Sequence, residues 1–439
     1  MPSFWIKDVT IVNEGRQFVG SVCIEDGRIA RVEEHPNAQP ADASLYLLPG
    51  VVDEHVHFRE PGLTHKADIE SESRAAAAGG VTTVFDMPNC VPQTTSIEAW
   101  ERKMQRAEDV CRVNYAFHFG ATTSNANLFS RLDSHRIPAV KVFMGSSTGG
   151  MLVDREEALR RIFAESPLPL MAHCEDTSII EENMQRVQVR EGADPDVRFH
   201  PVIRSREACL RSSELACRLA EEYDAQLMVA HVTTAEELGM FGGGRIVAEA
   251  CVPHLVFSDR DYASLGTRIK CNPAVKTLAD REALRKALTT GQIHTIATDH
   301  APHLLSEKQA GRAAKAPSGM PMVQFSLVAM LNLVDEGILT LPRLVELMSH
   351  NPSRFFSLEG RGFIREGYHA DLVMVRRTEP WTLTSEDVIS KCGWSPLEGR
   401  SFGWRVENTF VNGKLAYDHA LGVQDDVRGE AATFAPSRR

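Results

Sequence analysis

The stretch DEHVHFREPG, residues 53–62, follows the apolar run LLPGVV and sets His55 and His57 one residue apart, with Arg59 continuing the alternation. Alternate side chains of a strand share one face, so a strand here sends two imidazoles to one place. Imidazole nitrogen suits Zn²⁺. By itself an HxH pair fits surface or core histidines as well as ligands. Its setting, at the end of an apolar strand that opens a longer series, favours the metal.

Seven further apolar runs follow: VTTVFDM, VNYAFHFG, AVKVFMG, PLMAHC, QLMVAHV, RIVAEAC and HTIATD. Helical patterns lie between most of them. ESESRAAAAGG ends at a glycine pair, DREEALRRIFAES opens with an aspartate placed as a cap, and SREACLRSSELACRLAEEYD has apolar residues at helical spacing. Eight strand–helix units predict an α/β fold, a (β/α)₈ TIM-like barrel over residues 50–359, in preference to an open doubly wound sheet. PMVQFSLVAMLNLVDEG and LPRLVELMSHNPSRFFSL supply helices after the eighth strand.

The ends of the chain alternate in strand fashion instead. FWIKDVTIV, FVGSVCIED and RIARVEE lead with a turn at EDGR; ADLVMV and VENTFVNGKLAY, with an Asn-Gly turn, close the chain. Residues 1–49 and 360–439 are therefore expected to form one small β-sandwich domain built from both ends.

The 439 residues are 43% hydrophobic and 24% charged, with a formal net charge of -11. That balance argues against broad binding to nucleic acid or acidic membranes and leaves room for a local basic pocket. No apolar run approaches the roughly 20 residues of a membrane span. The beginning, MPSFWIKDVTIVNEG, reads as a strand and not as a secretory signal. Nine cysteines without a CxxC pair read as reduced core thiols, and a cytoplasmic location is the expectation.

Barrels of this kind place their active sites at the C-terminal ends of the strands. The first strand ends in His55 and His57, the fourth carries Lys141, the fifth ends at His173, the sixth at His231 and the eighth at Asp299. Each has a bland alternative. His173 and His231 fit satisfied core histidines, Asp299 fits a helix N-cap, and Lys141 fits a snorkelling or paired lysine. Two neighbouring strands both ending in histidine are hard to explain by core packing. A lysine inside AVKVFMG is costly unless neutralised or paired. A neutral amine can also add CO₂, giving a carbamate whose two oxygens can bridge two metal ions; the ammonium, with a reference pKa of roughly 10.4, must first lose its proton. Glu175, Asp176 and Asp261 read as solvated or supporting acids.

The set of HxH, strand-four lysine, two later histidines and strand-eight aspartate resembles the amidohydrolase superfamily. DEHVHFREPG, FDMPN, ATDHAPH and VKVFMGSSTGGMLV resemble the dihydroorotases within it, and the likeness spans essentially the whole chain, VNGKLAY included. The resemblance implies a binuclear zinc site. His55, His57, the carboxylated Lys141 and Asp299 would hold one ion; the same carbamate, His173 and His231 would hold the other. It further implies that Asp299 is catalytic, exchanging a proton with the attacking water. Arg59, Asn89 and His303 would grip a substrate carboxylate, and Asn272 would contact the ring amide. The implied reaction interconverts L-dihydroorotate and N-carbamoyl-L-aspartate, and a homodimer is the family-level expectation. The partners implied are small molecules only, with no nucleic acid and no membrane.

Hydantoinases, dihydropyrimidinases and allantoinases resemble the chain around the metal site but differ at the Arg59 position. They are the nearest alternative, with a non-catalytic homologue the other; six filled ligand positions speak against the latter. The chain departs from many relatives at SGMPMVQ, where they carry Gly-x-Glu. HLLSEKQAGRAAKAPSG, residues 303–319, is polar and aperiodic, a mobile loop over the site or a solvated one.

Overall fold

A computed structural model describes residues 3–145 and 150–436. The Ser146–Gly149 part of VKVFMGSSTGGMLV, the first two residues and the last three lie outside the described residues. Four strands open the chain: β1 (Phe4–Asn13), β2 (Arg16–Glu25), β3 (Arg28–Glu34) and β4 (Leu45–Pro49). The turn between β2 and β3 places Asp26 and Gly27 at φ 48° and 78°, the left-handed pair that a two-residue hairpin requires.

The barrel strands are β5 (Val51–Val56), β6 (Val81–Asp86), β7 (Asn114–Phe117), β8 (Phe119–Gly120), β9 (Val140–Phe143), β10 (Leu170–His173), β11 (Leu227–Val229), β12 (Ile246–Cys251) and β13 (Ile293–Ala297). All eight strands read from the sequence are present. The third is broken at His118, so that β7 pairs with β6 while β8 pairs with β9. All pairings in the series are parallel. A parallel bridge between Val56 and His300, and the bond from His57 N–H to the His300 carbonyl at 2.7 Å, join the eighth strand to the first and close the barrel.

Helices cover the outside by burying one stripe each. The helix Glu156–Glu165 buries Leu159, Ile162 and Phe163, an i, i+3, i+4 set. Its N-cap is Arg155, without a side-chain cap bond, so Asp154 is not the cap the sequence suggests; the chain enters the helix one residue later. The helix Ile69–Ala78 stops at Gly79 and Gly80, as expected, and starts from an Asp68–Ser71 capping box.

The chain then returns to the first sheet through β14 (Leu372–Thr382), β15 (Ser401–Val411), β16 (Lys414–Asp418) and β17 (Gly422–Val423). These join β1–β4 in one eight-stranded sheet of order β17-β16-β15-β14-β4-β1-β2-β3. β1 and β15 are three strand spacings apart, about 14 Å in a flat sheet. Their Phe4 and Phe410 rings nevertheless approach to 5.9 Å, so the sheet folds over on itself as a sandwich. Between its layers lie Ile11, Val22, Ile24, Leu47 and Leu372.

After β17 the chain runs back to the barrel. Ala431 bridges to Tyr115, and Phe434 bridges to Leu358. Ala432 and Phe434 pack with Phe85, Met171, Met228 and Phe356 beneath the barrel interior. The nine cysteines are all buried and free, as read from the sequence.

Candidate active site

A cavity of about 510 Å³ opens at the C-terminal ends of the strands, bordered by His55, His57, His173, His231 and Asp299. Beside them lie Arg59, Asn89, Asn272, Ser318 and Gly319. Three of these residues leave their strands with left-handed backbones: Arg59 at φ 67°, His231 at 41° and Asp299 at 47°. Such conformations cost non-glycine residues about 1–2 kcal/mol each and are kept where side-chain direction matters. Arg59 is therefore not a continuation of the β5 alternation. The strand stops at Val56, and the left-handed residue turns the guanidinium into the cavity.

His57 Nδ1–H donates to Asn89 Oδ1 at 2.7 Å, and His55 Nδ1–H donates to Glu249 Oε1 at 2.8 Å. Each ring is left with an Nε2 lone pair, and both lone pairs face Asp299 Oδ1, at 3.0 and 3.4 Å. Lone pairs opposed in this way repel unless a cation lies among them. Two ligand atoms bonded to one zinc at about 2.0–2.1 Å stand about 2.9–3.4 Å apart, so the donor set fits a divalent metal.

A second pair has the same spacing. His173 Nε2–H donates to Glu175 Oε2 at 2.9 Å, which leaves Nδ1 facing His231 Nε2 at 2.9 Å. The His55 and His231 rings lie 5.3 Å apart, so the two pairs adjoin. Burial, followed by neighbouring positive groups, holds His55 and His231 well below the ordinary imidazole value. They are neutral near pH 7, as ligation requires.

Lys141 is fully buried, and its Nζ has no hydrogen-bond partner. Burial lowers its pKa, favouring the neutral amine. Its nitrogen is close enough to His55, His173 and His231 to influence all three electrostatically, so it lies amid both pairs. The sequence-derived ligand set thus converges on one place.

Arg59 is also buried, which brings its pKa to about 10 and leaves it charged at neutral pH. Its Nε–H donates to the Pro302 carbonyl at 2.9 Å, and no carboxylate pairs with it among the described residues. His303 does not border the cavity. Lys66 Nζ donates to its Nδ1 at 2.9 Å, which puts the ring proton on Nε2, directed at the Ser318 carbonyl at 3.0 Å. Arg59 Nη2, another donor, lies 3.1 Å from that same nitrogen. Asn272 borders the cavity with a buried Oδ1 that has no partner.

Three supporting acids escaped the sequence reading or were left without a role in it. Glu249 Oε1 accepts from His55 Nδ1, from the His231 backbone N–H at 2.9 Å and from Cys251 Sγ at 3.2 Å, so one oxygen ties both histidine pairs together. An acid inside RIVAEAC was the available signal, by the same logic that singles out Lys141. Glu175 is fully buried between His173 and Arg204. Burial raises its carboxyl, but Arg204 and His173 outweigh that and bring it to about 2. Glu54, beside His55, is buried, and neither carboxylate oxygen makes a hydrogen bond; burial and then Glu249 hold its pKa well above the ordinary value. Asp176 caps the helix Thr177–Glu191, and Asp261 closes a turn with Ser258, so neither belongs to the site.

Comparison with known proteins agrees with this geometry. The chain is 34% identical to a dihydroorotase of Halobacterium salinarum, over 86% of this chain and 88% of that protein. It is 32% identical to one of Methanosarcina mazei, over 98% and 96%. Among solved structures, L-hydantoinase from Arthrobacter aurescens shares the fold with a TM-score of 0.91 at 24% identity, covering 98% of this chain and 99% of that one. Dihydropyrimidinase from Brevibacillus agri does so with a TM-score of 0.88 at 22% identity, covering 99% and 100%. The amidohydrolase family profile matches residues 46–416, and by that match and these near full-length relatives the chain belongs to the amidohydrolase family, within it to the dihydroorotases.

Proposed function

We propose that the chain is a metal-dependent dihydroorotase, interconverting L-dihydroorotate plus water and N-carbamoyl-L-aspartate. One observation carries the choice of substrate: a buried, charged guanidinium borders the cavity beside the metal-donor set with no carboxylate to pair it among the described residues. Leaving a buried charge unpaired costs about 3–5 kcal/mol. A ring that brings its own carboxylate offsets that cost, whereas hydantoin and allantoin do not.

In this reading His55, His57, Asp299 and a carboxylated Lys141 would hold one zinc, and the carbamate, His173 and His231 would hold a second. When bound, such a pair supplies Lewis acidity, polarising a carbonyl and acidifying water. Asp299 takes the proton of the attacking water and passes it to the leaving ring nitrogen; in ring closure it works in reverse. Arg59 grips the substrate carboxylate in a two-bond fork. Asn89, whose Oδ1 is committed to His57, presents its NH₂ end to the same anion. His303 becomes a third donor by turning Nε2–H from the Ser318 carbonyl to a carboxylate oxygen. The unpartnered Oδ1 of Asn272 accepts the ring N–H. A homodimer, a cytoplasmic location and a division into a 50–359 barrel and a domain from both chain ends complete the proposal. No helix among the described residues is long and apolar enough to cross a membrane.

The test is hydrolysis of dihydroorotate beside hydantoin and allantoin, with zinc counted in the same preparation. Turnover of dihydroorotate alone, with two zincs per chain, is the expected result. Preference for hydantoin would overturn the substrate assignment.

A further inference from the structure

Lys308 lies in the last turn of the helix Leu305–Gln309 and is fully buried. Its Nζ donates to three backbone carbonyls, those of Lys270 at 2.8 Å, Pro317 at 2.8 Å and Gly319 at 2.7 Å. No carboxylate pairs with it among the described residues. Burying an ammonium without an acid is costly, and three carbonyl dipoles aimed at its three N–H groups offset the cost.

Two of those carbonyls, of Lys270 and Gly319, belong to residues that border the cavity. Ser318 borders it too, and Gly319 N–H donates to the same Lys270 carbonyl at 2.9 Å. Gly319 lies at φ +127°, and a Cβ there would stand 2.5 Å from the Ala301 carbonyl oxygen and 3.3 Å from Arg59 Nη2. Its backbone is therefore packed against the guanidinium. The preceding carbonyl, of Ser318, takes the His303 ring proton. A shift of Ser318–Gly319 would displace both Arg59 and His303.

We infer that Lys308 is a positioning residue for the substrate carboxylate: its three-carbonyl tripod sets the Ser318–Gly319 wall that aligns Arg59 and His303. The inference rests on the dihydroorotase reading. It also assigns a task to segment 303–319, which the sequence presents only as a polar loop. The outer end of the segment is held separately, by Asp194 accepting the N–H groups of Arg312, Ala314 and Lys315 at 2.9, 2.9 and 3.2 Å.

That separation provides the control. Lys308→Met is expected to raise KM for dihydroorotate about tenfold or more while kcat changes less than about threefold. Zinc content should be unchanged. Asp194→Ala, which loosens the same segment at Arg312, Ala314 and Lys315 without touching the Ser318–Gly319 contacts to Arg59 and His303, is expected to leave KM within about twofold. A folded, zinc-loaded Lys308→Met protein with an unchanged KM overturns the inference, and so does an equal rise in Asp194→Ala. If Lys308→Met does not fold, Lys308→Arg takes its place. It keeps the buried charge but cannot aim three donors from one nitrogen, so KM must still rise. Wild-type protein inactive on dihydroorotate sinks the functional reading itself, a different result from an active wild type with an indifferent Lys308.

Discussion

The floor and the side wall of the cavity are built by opposite means. On the floor, acids orient bases: Glu249 holds His55, Glu175 holds His173, and the imidazole lone pairs are turned inward. At the wall, backbone carbonyls orient cations: Pro302 O holds Arg59, and three carbonyls hold Lys308. A carbonyl fixes a cation without neutralising it. The wall therefore keeps the charge of Arg59 available to a ligand, while the acids of the floor are committed to orienting imidazoles. Chemistry and substrate choice are thereby placed on separate supports.

The sharpest test of the floor is Asp299→Ala, which should lower kcat by about 10³-fold or more while circular dichroism shows a folded chain, since the proposed reading makes Asp299 both a ligand and the proton carrier. Near-normal turnover would remove Asp299 from the mechanism. The wall should break differently. Arg59→Met should cost roughly 10²–10³-fold in kcat/KM for dihydroorotate, the rate equivalent of about 3–4 kcal/mol, with zinc content intact; loss of zinc in that variant would show that the two supports are not separate. Glu249→Gln should weaken zinc binding by about 10–100-fold, measured by competition with a chelator, because it holds His55 through its ring and His231 through its backbone.

A pH dependence tests the other acid of the floor. The folded Glu175 carboxyl titrates at about 2, below its ordinary 4.5. Its contribution to stability is complete above about pH 4.5 and disappears as the pH falls toward 2, on the order of 3 kcal/mol in all. Thermal unfolding in chelator from pH 6 to pH 3 should show this slope in the wild type and not in Glu175→Gln. Equal slopes would mean that Arg204 does not hold Glu175 ionised.

The barrel strands are legible because each is a short apolar run between turn signals, and the metal donors are legible because they interrupt those runs at one end. The hairpin at Asp26–Gly27, and the one where Asn412 and Gly413 sit at φ 50° and 73°, follow from residues that tolerate left-handed backbone. Asp154 misleads because a cap depends on backbone geometry one residue away. Arg59 keeps the alternation in sequence and abandons it in space. Lys308 is illegible for a plainer reason: in SEKQAGR it reads as any solvated lysine, and the carbonyls that bury it come partly from residue 270. Where Gly-x-Glu is missing, Gln324 ties to Asp387 and Ile389, and His300 is held by Glu72 and by the N–H groups of Met322 and Val323.

Phe434 and Ala432, packed under the barrel with Phe85 and Phe356, act as a stopper at its far end. With that end shut, the cavity at the C-terminal ends of the strands is the doorway that the described residues leave to the metal-donor cluster, shared by incoming ring and outgoing open chain. Each must vacate it before the other can enter, so inhibition by product should be purely competitive in either direction of catalysis.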